Sequence, residues 1–185
     1  EFVGPQMGDE VREQGGLAML LSLLLVMRYV AFRFQFKFAL GAVIALVHDV
    51  IITLGFFSVT GMEFNLTVMA AVMTIIGYSI NDTIVIFDRI RENFRKIRRG
   101  EPEQIINLSI NETLSRTIMT SFLTQLMVFA MLLFGGETLR GFASALTIGI
   151  VIGTYSSIFI ASALALELKA TAADLMPPKQ EKGEG

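Results

Sequence analysis

The sequence predicts an all-α membrane protein, built as a polytopic bundle of five transmembrane helices. Hydrophobic residues make up 53% of the 185 residues, and charged residues only 17%. The mean hydropathy is +0.62. The apolar residues fall in long runs rather than at the spacing of a soluble core, and a helix needs about 20 such residues to cross a bilayer. An ordinary soluble domain is therefore excluded.

Five apolar runs define the predicted spans, at about residues 16–34, 38–60, 66–87, 115–134 and 141–168. The residues before the first run, 1–15, are polar and contain glycine and proline, so we expect the end of a preceding polar region there. The residues after the last run, 169–185, are expected to form a disordered tail.

The connections between spans are short, except for the stretch 88–114 between the third and fourth spans. Its first part is a basic continuation of the third helix, for which Gly100 is the expected C-cap. Pro102 suits the first position of a following helix. The segment 101–114 is amphipathic, and we expect it to lie along the membrane surface before the chain turns inward.

The charges of the loops predict the orientation. Basic residues lie in three places that share one side of a five-span bundle. They are Arg33 and Lys37; Arg89, Arg91, Arg95, Lys96, Arg98 and Arg99; and Lys169. The opposite loops contain only Glu63, Glu137 and Arg140 as charged residues. Because positive loops stay in the cytoplasm, the C-terminus is expected there and the N-terminus on the opposite side of the membrane; the family resemblance described below makes that side the periplasm.

Asp82 is the main candidate for function, because a carboxylate inside an apolar helix costs several kcal/mol unless it is paired or hydrated. Asn81 is its neighbour, and Tyr78 lies one turn before it on the same face. Arg116 enters the fourth span from the same side, at about the same depth by the helical rise. We therefore expect Asp82 and Arg116 to pair and to form part of a proton pathway.

Hydroxyl and amide side chains continue from Arg116 along the fourth span. One stripe runs through Thr120 to Thr124, and an adjoining stripe consists of Thr113, Thr117, Ser121 and Gln125. Two interpretations remain open. The stripes either join helices by hydrogen bonds, as is common in membrane bundles, or carry protons to Asp82.

His48, Asp49 and Asp88 are secondary candidates for the proton pathway. For His48 and Asp49 an equally open interpretation is a packed polar pair that faces neighbouring helices. His48 and Asp49 are sequence neighbours, so their side chains should point about 100° apart and not serve one spot together. His48 is the only histidine and there are no cysteines, so no metal site is expected. No phosphate loop or nucleophile motif is present, so we expect neither a cofactor other than protons nor an enzyme.

Small residues recur at every fourth position of the fifth span: Gly141, Ala145, Gly149, Gly153, Ser157, Ala161 and Ala165. Such a seam lets another helix approach closely. Whether that helix belongs to this chain or to another is left open by the sequence.

The stretches GYSINDTIVIFDRIREN and TLSRTIMTS, together with ALVHDVIITLGFFS and VGPQ, closely resemble the SecF family, the smaller half of the SecDF preprotein translocation factor. The resemblance implies half of an RND-superfamily fold, of which this chain holds the second to sixth helices. It equates Asp82 with the intramembrane aspartate of the family and Arg116 with its essential arginine. The first helix and the periplasmic domain of such a half lie outside this sequence.

The resemblance further implies a bacterial inner-membrane protein that couples proton flow to late steps of protein export. The expected partners are SecD, the Sec channel SecYEG, the translocating preprotein and membrane lipids, with YajC and YidC as further candidates; nucleic acid is not expected. Two alternatives are half of a small-molecule exporter of the same superfamily, and a passive scaffold that only organises helices.

Overall fold

The computed structural model describes residues 5–34, 36–97 and 100–167, and within these ranges the chain is helical apart from short turns. Five helices are long and apolar enough to cross a membrane. The predicted all-α, five-span bundle is thereby confirmed. The expected tail at 169–185 lies outside the described residues.

The helices follow one another as α1 (Pro5–Phe34), α2 (Phe36–Thr60), α3 (Leu66–Lys96), α4 (Pro102–Phe134) and α5 (Gly136–Tyr155). A π-helical segment (Ser156–Ala161) and the short helix α6 (Ser162–Glu167) continue α5. Together these last three elements form the fifth apolar span.

Local sequence explains the turns between the spans. Asn65 caps α3, because its side-chain oxygen accepts a hydrogen bond from the backbone N–H of Val68 at 3.1 Å. Gly61 and Gly136 have φ values of 66° and 70°, which glycine adopts without steric cost. These two positions turn the chain from α2 towards α3 and from α4 into α5.

α4 differs from the expectation for residues 101–114. Helix α4 is continuous from Pro102, which is its first residue as predicted, so the amphipathic segment is not a separate surface helix. Ile105 and Ile106 are buried in the same apolar cluster as Phe94. The apolar face of the segment therefore packs against the extension of α3 instead of against lipid.

Two further boundaries differ from the expectation. α3 ends at Lys96 with Ile97 as its C-cap, so Gly100 does not cap it. α1 begins at Pro5, although its apolar span begins only at Glu13. The polar residues before the first span thus extend the helix, since neither Gly8 nor Gly15 interrupts it.

The small-residue seam of α5 packs against α3 of the same chain. A Cβ atom at Gly149 would collide with the side chain of Ile75, and one at Gly141 would lie 3.0 Å from Val68. At Gly153 the added atom would lie 3.3 Å from Ser79. For these three glycines the neighbour that the sequence left unidentified is therefore α3, the helix that carries Asp82. The last residues of the seam, Ala161 and Ala165, lie against Gly41 of α2. The other four residues of the predicted seam are all fully buried: Ala145, Ser157, Ala161 and Ala165.

Candidate functional site in the membrane bundle

Asp82 lies in the inner face of α3 and is only 4% exposed. Its Oδ2 atom is buried and has no hydrogen-bond partner. Buried polar atoms are nearly always hydrogen-bonded, so an unpartnered carboxylate oxygen is a rare and costly feature. Asp82 thus lies inside the bundle, as the sequence predicted. Its Oδ2 atom lacks the polar partner that the sequence led us to expect.

Arg116 does not form the expected ion pair with Asp82. The two side chains interact electrostatically without direct contact, and Arg116 is exposed in this chain. Arg116 instead lines an open pocket of about 340 Å³. The pocket is lined by Val85, Asp88, Arg89, Glu92, Glu112, Thr113 and Arg116. Arg116 thus shares this pocket with the carboxylates of Asp88, Glu92 and Glu112.

Ion pairs hold the pocket together. Arg89 of α3 donates to Glu112 of α4 at 2.7 Å, and Asn93 donates to the same carboxylate at 2.7 Å. Asn93 also donates to the buried hydroxyl of Ser109 at 3.0 Å. Glu92 and Lys96 form an i,i+4 ion pair at 2.6 Å. These contacts fix the position of α4, and hence of Arg116, relative to α3.

Tyr78 and Ser121 join three helices through their hydroxyl groups. The Tyr78 hydroxyl donates to Ser121 of α4 at 3.2 Å, and Ser121 lies 2.7 Å from the hydroxyl of Thr154 on α5. At Ser121 the hydrogen-bonding interpretation of the polar stripes therefore fits the observed contacts. Thr154, which the sequence analysis did not single out, completes this chain of hydroxyls.

The two polar stripes of α4 differ in their surroundings. Thr113, Thr117 and Ser121 are buried, whereas Thr120 and Thr124 are half-buried. Thr124 donates to the backbone carbonyl of Thr120, so its hydroxyl is satisfied within its own helix. The stripe that faces the interior is therefore the one with Thr113, Thr117 and Ser121, whereas Thr120 and Thr124, which were predicted as pathway residues, lie at its margin. Asn81 is exposed on the outer side of α3.

Asp88 is separate from the interior site. It accepts a hydrogen bond from Arg33 at 2.7 Å, in an ion pair whose side chains are 38% and 41% exposed. Pairs of this exposure contribute at most about 1 kcal/mol, and this one ties the end of α1 to α3.

His48 and Asp49 do meet, contrary to the expectation. His48 Nδ1 lies 3.2 Å from Asp49 Oδ1. The helical offset between neighbours applies to their Cβ atoms, and the imidazole ring is long enough to reach back to the adjacent carboxylate. Asp49 is only 1% exposed, and its Oδ2 accepts a hydrogen bond from Ser79 of α3 at 2.7 Å. Ser79 was missed in the sequence, although it precedes Asp82 by one turn.

No group of three or more His, Cys, Asp or Glu side chains that could hold a metal ion occurs within residues 5–34, 36–97 and 100–167. The polar interior consists of two buried carboxylates, Asp49 and Asp82, and several hydroxyl groups. Such groups can bind and release protons or join helices by hydrogen bonds.

The fold and this interior define a multi-pass membrane protein with ionisable groups inside its helix bundle. Residues 1–171 match the profile described as "Protein export membrane protein SecD/SecF, C-terminal". The chain therefore belongs to the SecD/SecF C-terminal family.

Individual relatives agree with the family assignment. The chain is 57% identical over 182 residues to the protein translocase subunit SecF of Vibrio alginolyticus, covering 98% of this chain and 58% of that protein. It is 54% identical to SecF of Pseudomonas aeruginosa over 179 residues, covering 97% of this chain and 58% of the relative. The chain thus spans a little over half the length of these relatives.

Two solved structures resemble the fold. A crystal structure of SecDF from Thermus thermophilus, described as a translocon-associated membrane protein, matches with a TM-score of 0.86 and 48% identity. The match covers 90% of this chain and 23% of that one. A crystal structure of SecDF in a super-membrane-facing form matches with a TM-score of 0.82 and 46% identity, covering 90% and 22%.

Proposed function

We propose that this chain is the transmembrane part of a SecF-type subunit that couples proton flow across the bacterial inner membrane to late steps of preprotein translocation. The observation that supports the proposal most is Asp82, a buried carboxylate with an unpartnered oxygen at the centre of the bundle. A structural role alone would favour a fully hydrogen-bonded group at this position.

In this proposal Asp82 alternates between a neutral and an ionised state. Burial disfavours the ionised carboxylate, whereas the positive charge of Arg116 favours it. A movement of α4 that brings the guanidinium closer would release a proton, and its withdrawal would allow a proton to bind. In this proposal water would approach the region of Asp82 through the polar pocket lined by Arg116.

The assembly that we propose contains SecD, because the resembling solved structures are of SecDF. Association with SecYEG, the translocating preprotein, YajC and YidC follows from the family resemblance and belongs to the proposal. The periplasmic part of the full-length protein would transmit the movement of the helices to the emerging polypeptide.

Asp82→Asn in the full-length protein is expected to abolish the part of export that depends on the proton gradient. Asparagine has nearly the same shape and can still hydrogen-bond, so the bundle should fold, but it cannot take up or release a proton. The measurement is export of a secreted reporter in cells, with and without a proton uncoupler. The matched control is Glu137→Gln, which neutralises an exposed carboxylate at the start of α5.

The variant should assemble with SecD in normal amounts and show slow export that the uncoupler no longer changes. Export at the wild-type rate, with unchanged sensitivity to the uncoupler, would mean that Asp82 is not the proton carrier. The passive-scaffold alternative would then be preferred.

We further propose that the loop between α3 and α4 lies in the cytoplasm. Glu63 and Arg95 are both exposed and lie at opposite ends of α3, and the chain contains no cysteine that would react in the background. In intact spheroplasts, Glu63→Cys should react with a membrane-impermeant thiol reagent and Arg95→Cys should react only after lysis. The reverse pattern would overturn the orientation that the positive loops predict.

A further inference from the structure

We infer that Asp49 is a second proton-binding carboxylate, enclosed between α2, α3 and the π-helical segment that follows α5. Proton binding at Asp49 does not depend on Asp82, whereas its use in transport rests on the proposed function. The inference follows from burial, from the hydrogen bonds of the carboxylate and from the shape of the helix beside it.

Asp49 is more deeply buried than Asp82, with 1% of its surface exposed. Both of its oxygens have partners: Ser79 donates to Oδ2 at 2.7 Å, and His48 Nδ1 lies 3.2 Å from Oδ1. On its other side it adjoins the π-helical segment, and a Cβ atom added at Gly153, three residues before this segment, would lie 3.7 Å from Oδ2. The carboxylate is therefore held in one position and closely surrounded.

No side chain in contact with Asp49, among the described residues, carries a permanent positive charge that would balance an ionised carboxylate. His48 is the ionisable side chain in contact with it, and His48 carries a charge only when protonated. α3 contributes the hydroxyl of Ser79, and the next ionisable group on that face is another carboxylate, Asp82. The π-helical segment contributes Ser156, which also donates to the backbone carbonyl of Ala45 at 3.4 Å.

Two arrangements avoid an isolated buried charge. Either the proton is on Asp49, or it is on His48 and the two residues form an ion pair. An unpaired buried carboxylate costs several kcal/mol, so one proton is retained by the two residues together until the surroundings admit water. The side chain of His48 is 34% exposed, so it is the more accessible member of this pair.

The π-helical segment forms one side of the site around Asp49. Ser156–Ala161 adopts π-helical geometry within the fifth span, and this segment packs against both α2 and α3. Single π-helical turns inside α-helices are rare and occur frequently at functional sites. Ser156 and Ser157 at its start are fully buried beside α2 and α3. The π-helical geometry therefore determines which hydroxyl groups of this segment lie beside Asp49.

The position of Asp49 relative to Asp82 suggests how the two would act together. Ser79 and Asp82 are three residues apart on α3, about 4.5 Å along the helix axis at the usual rise. Asp49 thus contacts α3 closer to the Leu66 end, whereas the pocket of Arg116 lies beyond Asp82 towards the Lys96 end. A proton that enters from the Leu66 end would meet Asp49 before Asp82.

The test is infrared difference spectroscopy of the full-length protein with SecD, reconstituted in lipid and titrated with pH. A protonated carboxylic acid has a carbonyl stretching band that shifts when hydrogen is exchanged for deuterium. We expect such a band to appear on acidification, to be lost in Asp49→Asn and to remain in Asp82→Asn. Glu137→Gln, at an exposed carboxylate, should leave the band unchanged.

A second variant keeps the test decisive if Asp49→Asn fails to fold. Ser79→Ala removes the hydroxyl that donates to Asp49 but retains the carboxylate, so the band should remain and change in frequency. A complex without any band assigned to Asp49 at any pH would overturn the inference, because the group would then stay ionised. A band that is present at every pH would overturn it too, because the proton would never leave.

The outcomes also separate this inference from the proposed function. Normal, uncoupler-sensitive export by Asp82→Asn together with a titrating Asp49 band would remove the proposed role of Asp82 and leave this site standing. Blocked export by Asp82→Asn, together with the lack of a band from Asp49, would support the proposed role of Asp82 and remove the inferred site at Asp49.

Discussion

Replacement of Arg116 by methionine in the full-length protein should reduce gradient-dependent export about tenfold or more, since each ~1.4 kcal/mol of lost charge stabilisation reduces the ionised population tenfold. Arg116 is the charge that interacts with Asp82. Without it, burial alone determines the state of the carboxylate, and Asp82 should stay neutral at all stages of the cycle. The measurement is reporter export with and without a proton uncoupler.

Two matched variants test whether loss of the positive charge at position 116 causes the expected loss of gradient-dependent export. Arg116→Lys keeps a positive charge on a flexible side chain and should retain part of the gradient-dependent export, although it loses the planar fork of the guanidinium. Arg95→Met removes an exposed charge from the extension of α3 and should export normally. Equal export by Arg116→Met and wild type would show that Arg116 does not control Asp82.

The second large effect is expected for Gly149→Leu, which should destabilise the bundle by about 1–3 kcal/mol or more, as over-packing of a core does. Gly149 is buried, and even a Cβ atom there would collide with Ile75, which is itself 1% exposed. A leucine must therefore push α5 away from α3. The measurement is the midpoint of thermal unfolding of the purified full-length protein in complex with SecD.

The control for this change is Gly55→Leu, at a helical position of α2 where an added Cβ atom would meet nothing within 4 Å. That variant should unfold at the wild-type temperature or slightly above it, because leucine favours a helix more than glycine does. A double variant, Gly149→Leu with Ile75→Ala, should recover part of the lost stability, because the clash is between these two side chains. If Gly149→Leu alone assembles and unfolds like wild type, the α3–α5 seam does not hold the bundle together.

The number of spans and most of their ends were determined by the sequence alone. Hydropathy reports how many residues in a row can lie in lipid, and this depends on each segment by itself. The start of α3 after Asn65 and the start of α4 at Pro102 depend on hydrogen bonds and sterics within a few residues. Asp82 could be identified for the same reason, because a charge within an apolar run is conspicuous whatever its neighbours are.

Only the tertiary structure decided which of the polar groups meet. Asp49 contacts Ser79, which is 30 residues away in sequence, and Tyr78 contacts Ser121, which is 43 residues away. These contacts depend on the rotation of each helix about its axis, and that rotation is set by the faces of all neighbouring helices together. The small residues of α5 could be recognised by their spacing, but their partner, α3, followed only from the packing of the whole bundle.

For Arg116, too, the sequence determined one property and the tertiary structure another. Its depth was predicted from the helical rise, which is a property of one helix. Its side chain nevertheless lines a polar pocket with Glu92 and Glu112 instead of pairing with Asp82. The polar groups that surround Arg116 therefore depend on how α3 and α4 pack, and at this point Arg89 and Asn93 of α3 both donate to Glu112 of α4.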